Sequence, residues 1–164
     1  MDLKTVISLL LCTLLLTGCG SAPVFEGMED VYAPQTQPQP KKLQLTLPKD
    51  AAAQTLSGET GKLYFCDGYE LSLETLPSGD LNSTLQLLTG YGRDLLTIME
   101  TGTSTEKRFE TVWVAAGEDS DRVGRLLVID DGSYHYCVSV MADVSEAGAL
   151  QKSWEALFSG VVLG

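Results

Sequence analysis

Basic residues and histidine are scarce in this sequence, and it has no long apolar run. Its 164 residues include 11 Lys+Arg against 22 Asp+Glu, one His and four Cys, for a net charge of −11. An acidic surface cannot replace the counterions around phosphates, which excludes a nucleic-acid partner. The single imidazole leaves few routes to a histidine-based cluster, and we expect no metal site and no cofactor. No apolar run reaches the roughly 20 residues that a membrane-spanning helix needs.

The N-terminus combines a short charged head with an apolar segment. Met1–Lys4 contains one Lys and one Asp, and Val6–Leu16 is apolar except for Ser8 and Thr13. A segment of this length is typical of a secretory signal peptide and too short to span a bilayer. Residues 1–18 are therefore predicted to be a signal peptide.

The four residues Leu16-Thr17-Gly18-Cys19 follow this segment directly. They resemble the lipobox of bacterial lipoproteins, in which a branched residue and two small ones precede the lipidated cysteine. The resemblance implies cleavage between Gly18 and Cys19, a diacylglyceryl group on the Cys19 thiol, and an anchor on the extracytoplasmic face of a bacterial membrane. Two acyl chains anchor a protein stably in the membrane where one chain does not, because each buried CH₂ contributes roughly 0.8 kcal/mol. The alternative is an ordinary secretory cleavage region with an incidental thiol.

Residues 19–41 are predicted to be a tether rich in proline and glutamine. The stretch Gly20–Pro40 holds four of the chain's six prolines, interleaved with Gln35, Gln37 and Gln39. No packed core forms from this composition. As a mixed coil and polyproline II segment it would reach roughly 25 Å if flexible and about 65 Å if extended. Such a tether lifts the rest of the chain off the lipid surface.

Residues 42–164 are predicted to form one globular domain, which carries most of the acidity. The range Leu43–Gly164 has 8 Lys+Arg and 18 Asp+Glu. Repulsion from anionic lipid and wall polymers would keep this domain free of nonspecific contacts.

Alternating apolar and polar residues predict a mostly antiparallel sheet of six or seven strands. Asp67-Gly68 and Asp131-Gly132 are signatures of tight hairpin turns. The predicted strands cover residues 43–47, 63–66, 69–76, 95–101, 107–117, 122–130 and 133–142. Several are apolar on both faces, which favours a layer packed on each side of the sheet.

Two helices are predicted, and with the sheet they make an α+β fold. Asp80 is a credible N-cap for a short helix that Gly90 ends. A longer helix over residues 145–159 has Asp143 or Ser145 as its cap and should lie across the sheet. Its apolar stripe consists of Ala147, Leu150, Trp154, Leu157 and Phe158.

The last third of the chain carries a further resemblance. The segment Asp130-Asp131-Gly132-Ser133-Tyr134-His135-Tyr136, the strand that follows it and the helix containing Trp154 are similar to a PsbP-like domain. That α/β/α sandwich is shared by bacterial lipoproteins and a Ran-binding import factor family. The resemblance implies a fold, and it carries no catalytic or ligand motif because members of the family do unrelated things.

Cys66 and Cys137 both fall on predicted strands of an exported domain. One alternative is a disulfide, which would close a long loop and contribute on the order of 4 kcal/mol. The other is two separate buried thiols that behave as small hydrophobic residues. The sequence leaves both open.

Two further constellations offer chemistry. His135, Glu110 and Ser139 would form a hydrolytic trio if adjacent strands aligned them, although Ser139 lacks a nucleophile-elbow context. Asp119, Asp121, Gly124 and Asp130 match positions of a calcium loop, but Val123 replaces a ligand and the segment has a strand pattern. Solvated turn carboxylates explain these acidic residues better.

The sequence thus favours a membrane-anchored, extracytoplasmic, noncatalytic module that binds a protein partner or a small ligand. The alternative is a cell-envelope hydrolase or enzyme accessory centred on His135, and a third option is an acidic spacer. A pocket joining His135 to carboxylates and a nucleophile would favour the hydrolase. A shallow exposed apolar patch would favour the binding module.

Overall fold

A computed structural model of the chain describes residues 38–54 and 61–164. These residues belong to one compact unit that extends from Gln37 to Gly164. The strands are β1 (Leu43–Gln44), β2 (Ala52–Gln54), β3 (Gly61–Cys66), β4 (Tyr69–Pro77), β5 (Ile98–Gly102), β6 (Lys107–Ala115), β7 (Arg122–Asp130), β8 (Tyr134–Asp143) and β9 (Val162–Leu163). The helices are α1 (Leu81–Thr89) and α2 (Ala147–Ser159), and Arg93–Leu95 forms one 3-10 turn.

Seven strands form a fully antiparallel sheet in the order β2-β3-β4-β8-β7-β6-β5. Strands β5 to β8 follow one another as the predicted meander, and β4 pairs with β8. A separate two-stranded ribbon joins β1 to β9. The predicted α+β class and the number of strands are confirmed.

Helix α1 lies on one side of the sheet, which we call the α1 side. Asp80 caps the helix: its carboxylate oxygens accept the amide N–H groups of Asn82 and Ser83 at 3.2 and 3.3 Å. Gly90 ends it with a φ of 81°, a conformation that glycine adopts without a Cβ clash. The core on this side contains Leu85, Phe109, Trp113, Leu126, Val128 and Cys137.

Helix α2 lies on the opposite side, which we call the α2 side. Trp154, Leu157 and Phe158 are buried there, as the predicted stripe requires. Their sheet partners come from β4, β7 and β8: Tyr69, Leu71, Leu127, Ile129, Tyr136, Val138, Val140 and Ala142. The helix therefore covers the middle of the sheet and leaves β5 and β6 outside its core.

The start of α2 differs from the predicted cap. Glu146 occupies the N-cap position and makes no side-chain capping bond. Asp143 instead accepts the N–H of Ser145 at 2.8 Å, two residues before the helix. Hydrogen bonds from Ser120 and Ser145 lower the pKa of Asp143 to about 2. The carboxylate thus fixes the connection into α2 and not the helix end itself.

Residues at the end of the predicted tether lie against the domain. The Tyr134 hydroxyl donates to the Pro38 carbonyl at 2.8 Å, and the Lys41 N–H donates to the Tyr136 hydroxyl at 2.7 Å. The Lys41 ammonium also pairs with Asp131 at 3.4 Å. Pro38–Lys41 therefore belongs to the packed structure, before the expected domain start at residue 42.

Short strands account for the remaining differences from the sequence prediction. The predicted strand 43–47 is only Leu43–Gln44, because its partner β9 offers two residues. Neither β9 nor β2 has enough length to show a periodic pattern. The predicted strand from residue 95 begins at Ile98, since Arg93–Leu95 closes a 3-10 turn first.

Candidate functional site

The only histidine is buried between α1 and the sheet. His135 on β8 is 1% exposed, and its Nδ1 lies 2.8 Å from the Thr84 hydroxyl oxygen on α1. Its Nε2 lies 3.8 Å from one carboxylate oxygen of Asp130, and the Ser78 hydroxyl donates to the other carboxylate oxygen at 3.2 Å. These contacts join α1 to the end of β7 and the start of β8.

The structure does not assemble the hydrolytic trio. Glu110 pairs with Leu127 in the register of β6 and β7 and therefore points to the α2 side, whereas His135 lies on the α1 side. The Glu110 carboxylate accepts from Arg125 at 2.8 Å. Ser139 shares the face of His135 but lies four residues along β8, or about 13 Å away. The alternative in which strand alignment joins these three side chains is therefore excluded by the register.

The two domain cysteines are separate free thiols in the structure. Cys66 pairs with Tyr69 and packs on the α2 side, and Tyr69 pairs with Ala142. Cys137 is five residues from Ala142 on β8 and packs on the α1 side. At about 3.3 Å per residue they are more than twice as far apart as the roughly 7 Å that a disulfide spans. The bridge alternative is therefore corrected to two separate thiols, and burial raises the pKa of both.

The residues of the calcium-loop pattern are in two different environments. Gly124 and Asp130 belong to strand β7, and Asp119 and Asp121 lie in the exposed turn before it. The residues described, 38–54 and 61–164, include no group of three His, Cys, Asp or Glu side chains placed to hold a metal ion. Within the same ranges, neither helix is long and apolar enough to cross a membrane.

Gly18 and Cys19, the predicted cleavage and lipidation residues, lie outside the described residues. The predicted signal peptide and most of the predicted tether lie outside them as well. The anchor is therefore argued from the sequence alone.

An exposed apolar surface lies on the α2 side of β5 and β6. Met99 is 56% exposed, Val112 56% and Val114 51%. The register pairs Met99 with Glu110, whose side chain points to the α2 side. Val112 and Val114 follow Glu110 at every second position of β6, so Met99, Val112 and Val114 share one face of the sheet. We call Met99, Val112 and Val114 the β5–β6 face. Helix α2 lies over β7 and β8 and leaves this face uncovered.

Two shallow grooves flank the β5–β6 face. One, of about 430 Å³, runs between β6, β7 and α2 and is lined by Val112, Val123, Arg125, Ala147, Gly148, Gln151, Trp154 and Glu155. The other, of about 300 Å³, is lined by Thr97, Met99, Glu110, Thr111, Val112 and Arg125. Val112 and Arg125 line both, so the two grooves form one continuous surface.

Arg125 is held in place at the centre of this surface. Its guanidinium donates to Glu110 at 2.8 Å, and its central carbon lies 4.6 Å from the centre of the Phe158 ring. Both partners of the ion pair are about one-fifth to one-quarter exposed. A half-buried ion pair stacked on an aromatic ring gives the groove a neutral and rigid floor.

Trp154 lines the groove of about 430 Å³ and has a hydrogen-bond donor without an acceptor. The residue is 5% exposed, and its indole N–H finds no hydrogen-bond acceptor among the described residues. Its ring packs edge-on against Tyr69, with centroids 6.1 Å apart. A buried donor without an acceptor costs about 1–3 kcal/mol, and the Trp113 indole in the α1-side core likewise finds no acceptor among the described residues.

Two larger grooves lie at other parts of the α2 side. One of about 620 Å³ is lined by Pro40, Lys42, Leu43, Gly61, Lys62, Leu73, Glu74, Thr75, Pro77 and Tyr134. One of about 550 Å³ lies between α2 and residues 46–50 and includes Tyr69, Leu150 and Leu157. His135 lines none of these four grooves.

Sequence reasoning missed the β5–β6 face because it took two-sided apolar strands as evidence of two complete covering layers. The signal was present in β6, where Phe109, Thr111 and Trp113 alternate with Val112 and Val114. A helix of 13 residues is about 20 Å long and cannot cover seven strands spaced about 4.8 Å apart. The β1–β9 ribbon also packs on the α2 side, and together with α2 it still leaves Met99, Val112 and Val114 exposed.

No protein family and no curated protein sequence matches the chain. Solved structures do match, at low sequence identity. A crystal structure from Bacteroides thetaiotaomicron VPI-5482 has a TM-score of 0.51 and 13% identity, over 74% of this chain and 45% of that one. The chain thus spans less than half the length of the Bacteroides structure.

Two further structures are similar. LpqN, involved in cell envelope biogenesis of Mycobacterium tuberculosis, has a TM-score of 0.47 and 12% identity, over 79% of this chain and 87% of that one. The Saccharomyces cerevisiae Ran-binding protein Mog1p has a TM-score of 0.49 and 11% identity, over 74% of this chain and 89% of that one. At such identities similarity concerns the fold alone.

Proposed function

We propose that this chain is a lipid-anchored, extracytoplasmic binding module with a PsbP-like domain. It binds a protein partner through the β5–β6 face and performs no catalysis. The observation that carries the proposal is the uncovered apolar face: Met99, Val112 and Val114 are each more than half exposed beside a rigid groove. Contiguous exposed apolar side chains rimmed by polar ones mark interaction sites, whereas single ones carry no such meaning.

The environment of His135 supports a noncatalytic role. A general base has to reach a proton of the substrate, and this imidazole is 1% exposed with Nδ1 bonded to Thr84. The acidic group at 3.8 Å, Asp130, also accepts from Ser78 and from the Gly132 N–H. Thr84 and Asp130 thus hold the His135 ring in a packing contact beneath α1. The hydrolase centred on His135 remains the rival proposal.

The anchor rests on the lipobox, with Cys19 as the acylated residue and Gly18 before the cleaved bond. The first described contact of the domain is at Pro38, so the segment between anchor and domain has about 18 residues. At roughly 5–6 Å times the square root of the residue number, a flexible chain of that length spans about 25 Å. The domain would then reach partners in or near the same membrane.

The anchor is tested by changing Cys19→Ser and fractionating cells. We expect the native chain in the membrane fraction, with a mass increment for the acylated residue, and the variant in the soluble extracytoplasmic fraction. A native mature chain whose intact mass shows no acyl increment would contradict the anchor.

The binding surface is tested by site-specific photo-crosslinking on intact cells. A photoreactive residue at Val112 reports on the β5–β6 face, and one at Leu87 is the control because this side chain is 68% exposed on α1. We expect one discrete protein adduct from position 112, lost when Val114 is changed to Asp, and none from position 87. Equal adducts at both positions, or none at either, would contradict the proposed surface.

A further inference from the structure

Five exposed carboxylates flank the β5–β6 face, at the turn after β6 and along α2. Glu118, Asp119 and Asp121 lie in the turn that follows Val114 and Ala115, and Glu146 precedes the groove residues Ala147 and Gly148. Glu155 lines the groove itself. We call Glu118, Asp119, Asp121, Glu146 and Glu155 the acidic rim. None of them belongs to an ion pair among the described residues.

Two of the nearby arginines are already paired with other carboxylates. Arg125 is paired with Glu110 at 2.8 Å, and Arg122, which follows the turn, is paired with Glu70 at 3.0 Å.

Two further cations lie near the surface without an ion pair among the described residues. Arg108, on the same face of β6, donates to the Val161 carbonyl at 3.0 Å, and Lys152 is exposed on α2. The five rim carboxylates outnumber these two cations. The surface therefore has an apolar centre, a neutral floor and a margin with a net negative charge.

This charge distribution disfavours two of the available occupants. A second copy of the chain brings 18 Asp+Glu against 10 Lys+Arg in residues 37–164, a net charge of −8, and so repels the rim. The mature tether contributes Glu26, Glu29 and Asp30 and no basic residue between positions 20 and 37. Either occupant would place carboxylates against carboxylates.

We propose that the β5–β6 face takes a cationic partner: a Lys- or Arg-rich protein segment with an apolar face of its own. Apolar side chains of the partner contact Met99, Val112 and Val114, and its basic side chains contact the acidic rim. This inference rests on the proposed function and specifies the partner chemistry of the same surface. Rim charges steer association and select the partner, while the apolar centre supplies most of the affinity.

The probe is a pair of amphipathic peptides with the same leucine positions. One has lysine at every polar position and the other has glutamate. Binding to the full chain carrying Cys19→Ser is followed by fluorescence anisotropy at low and physiological salt. We expect the lysine peptide to bind, the glutamate peptide not to bind, and the affinity to fall as salt screens the rim.

Matched variants locate the binding. The rim variant combines Glu118→Gln, Asp119→Asn and Asp121→Asn, and its control removes the same three charges elsewhere through Asp67→Asn, Asp94→Asn and Glu106→Gln. Asp67 and Asp94 are exposed and Glu106 is partly buried, and all three lie outside the grooves beside the β5–β6 face. We expect the rim variant to weaken binding of the lysine peptide about five- to tenfold. The control variant should change it less than about twofold.

A second pair of variants tests the apolar centre. The double variant Val112→Ser with Val114→Ser should bind the lysine peptide about tenfold more weakly, whereas Leu87→Ser should leave the affinity for this peptide unchanged. Thermal unfolding checks that all variants fold. Equal losses in the rim and control variants, or equal binding of both peptides, would overturn the cationic partner while leaving the surface intact. Full binding by the Val112/Val114 variant would overturn the surface itself, and with it the proposed function.

Discussion

Gly124 on β7 lies directly beneath the indole ring of Trp113 on β6. A Cβ at position 124 would come within 2.3 Å of the ring carbon Cζ2 and within 2.6 Å of two others. Trp113 is 4% exposed and belongs to the α1-side core, so the ring has little room to move. The cross-strand pair works only with glycine opposite tryptophan.

Gly124→Ala should therefore destabilise the protein, because the indole has to shift within a packed core. We expect a loss of about 1–3 kcal/mol in the free energy of unfolding, measured by denaturant titration. Gly148→Ala is the control, since a Cβ there meets nothing within 4 Å and the residue is helical. The control should be neutral or slightly stabilising. Equal stability of both variants would contradict the packing argument.

For single residues, the sequence predicted the strands on which the reactive side chains lie but not the residues that surround these side chains. His135, Cys66 and Cys137 were correctly placed on strands. Their partners come from long-range register: Thr84 is 51 positions from His135, and Cys66 and Cys137 are on opposite sides of one sheet. Local sequence patterns hold no information on pairings across such separations.

The hairpin between β7 and β8 is organised by Asp131. One of its carboxylate oxygens accepts the N–H groups of Ser133 and Tyr134 at 3.0 and 2.9 Å, and the other accepts the Tyr136 hydroxyl at 3.2 Å. Burial opposes ionisation of this carboxyl, but these hydrogen bonds and Lys41 outweigh it and lower its pKa. The side chain is 7% exposed, so the turn and the start of the domain share one buried charge.

Asp131→Asn should lower stability by about 1–3 kcal/mol at neutral pH, because the buried hydrogen bonds lose their charged acceptor. A lowered pKa in the folded state means that ionised Asp131 stabilises the protein above the unfolded-state pKa of about 3.9. This contribution is lost as the pH falls through the lower folded-state pKa. The stability difference between native chain and variant should therefore shrink as the pH falls below about 3.9.

The control for this measurement is Asp94→Asn, an exposed carboxylate without an ion pair among the described residues. Its stability curve should follow that of the native chain across the same pH range. A difference between native and Asp131→Asn chains that stays constant with pH would show that charge on Asp131 is not what stabilises the hairpin.

Elements with a local signal were predictable. The turn Asp67-Gly68 adopts the expected hairpin with a φ of 78° at Gly68, and Asp80 and Gly90 bound α1 as expected. Strands β1, β2 and β9 were missed or misjudged in length because each has only two or three residues. Such strands form where a neighbouring backbone is available, which is a property of the assembled fold.

The described domain as a whole is strongly acidic, and this affects its stability. Residues 37–164 carry a net charge of −8, with most carboxylates exposed. Mutual repulsion of like charges destabilises a compact state, and salt screens it over about 8–10 Å at physiological ionic strength. Salt also screens the surface ion pairs, but the stability lost in this way is small because each pair contributes only about 0–1 kcal/mol.

Raising sodium chloride from low to physiological concentration should therefore raise the Tm of the protein. The rim variant with three carboxylates neutralised serves as the comparison, because it has less repulsion to screen and should gain less from salt. Thermal unfolding followed by circular dichroism measures both. A Tm that falls with salt would mean that specific ion pairs outweigh the net repulsion.

Two kinds of information thus separate in this molecule. Composition, the signal and lipobox pattern, the turn pairs and the apolar periodicities are local, and they were enough for the acidic character, the expected anchor, the α+β class and most element positions. The covering of each sheet face depends on where α2 lands and on how far it extends. Since one 13-residue helix cannot shield seven strands, only the assembled fold decided that Met99, Val112 and Val114 stay exposed and that His135 does not.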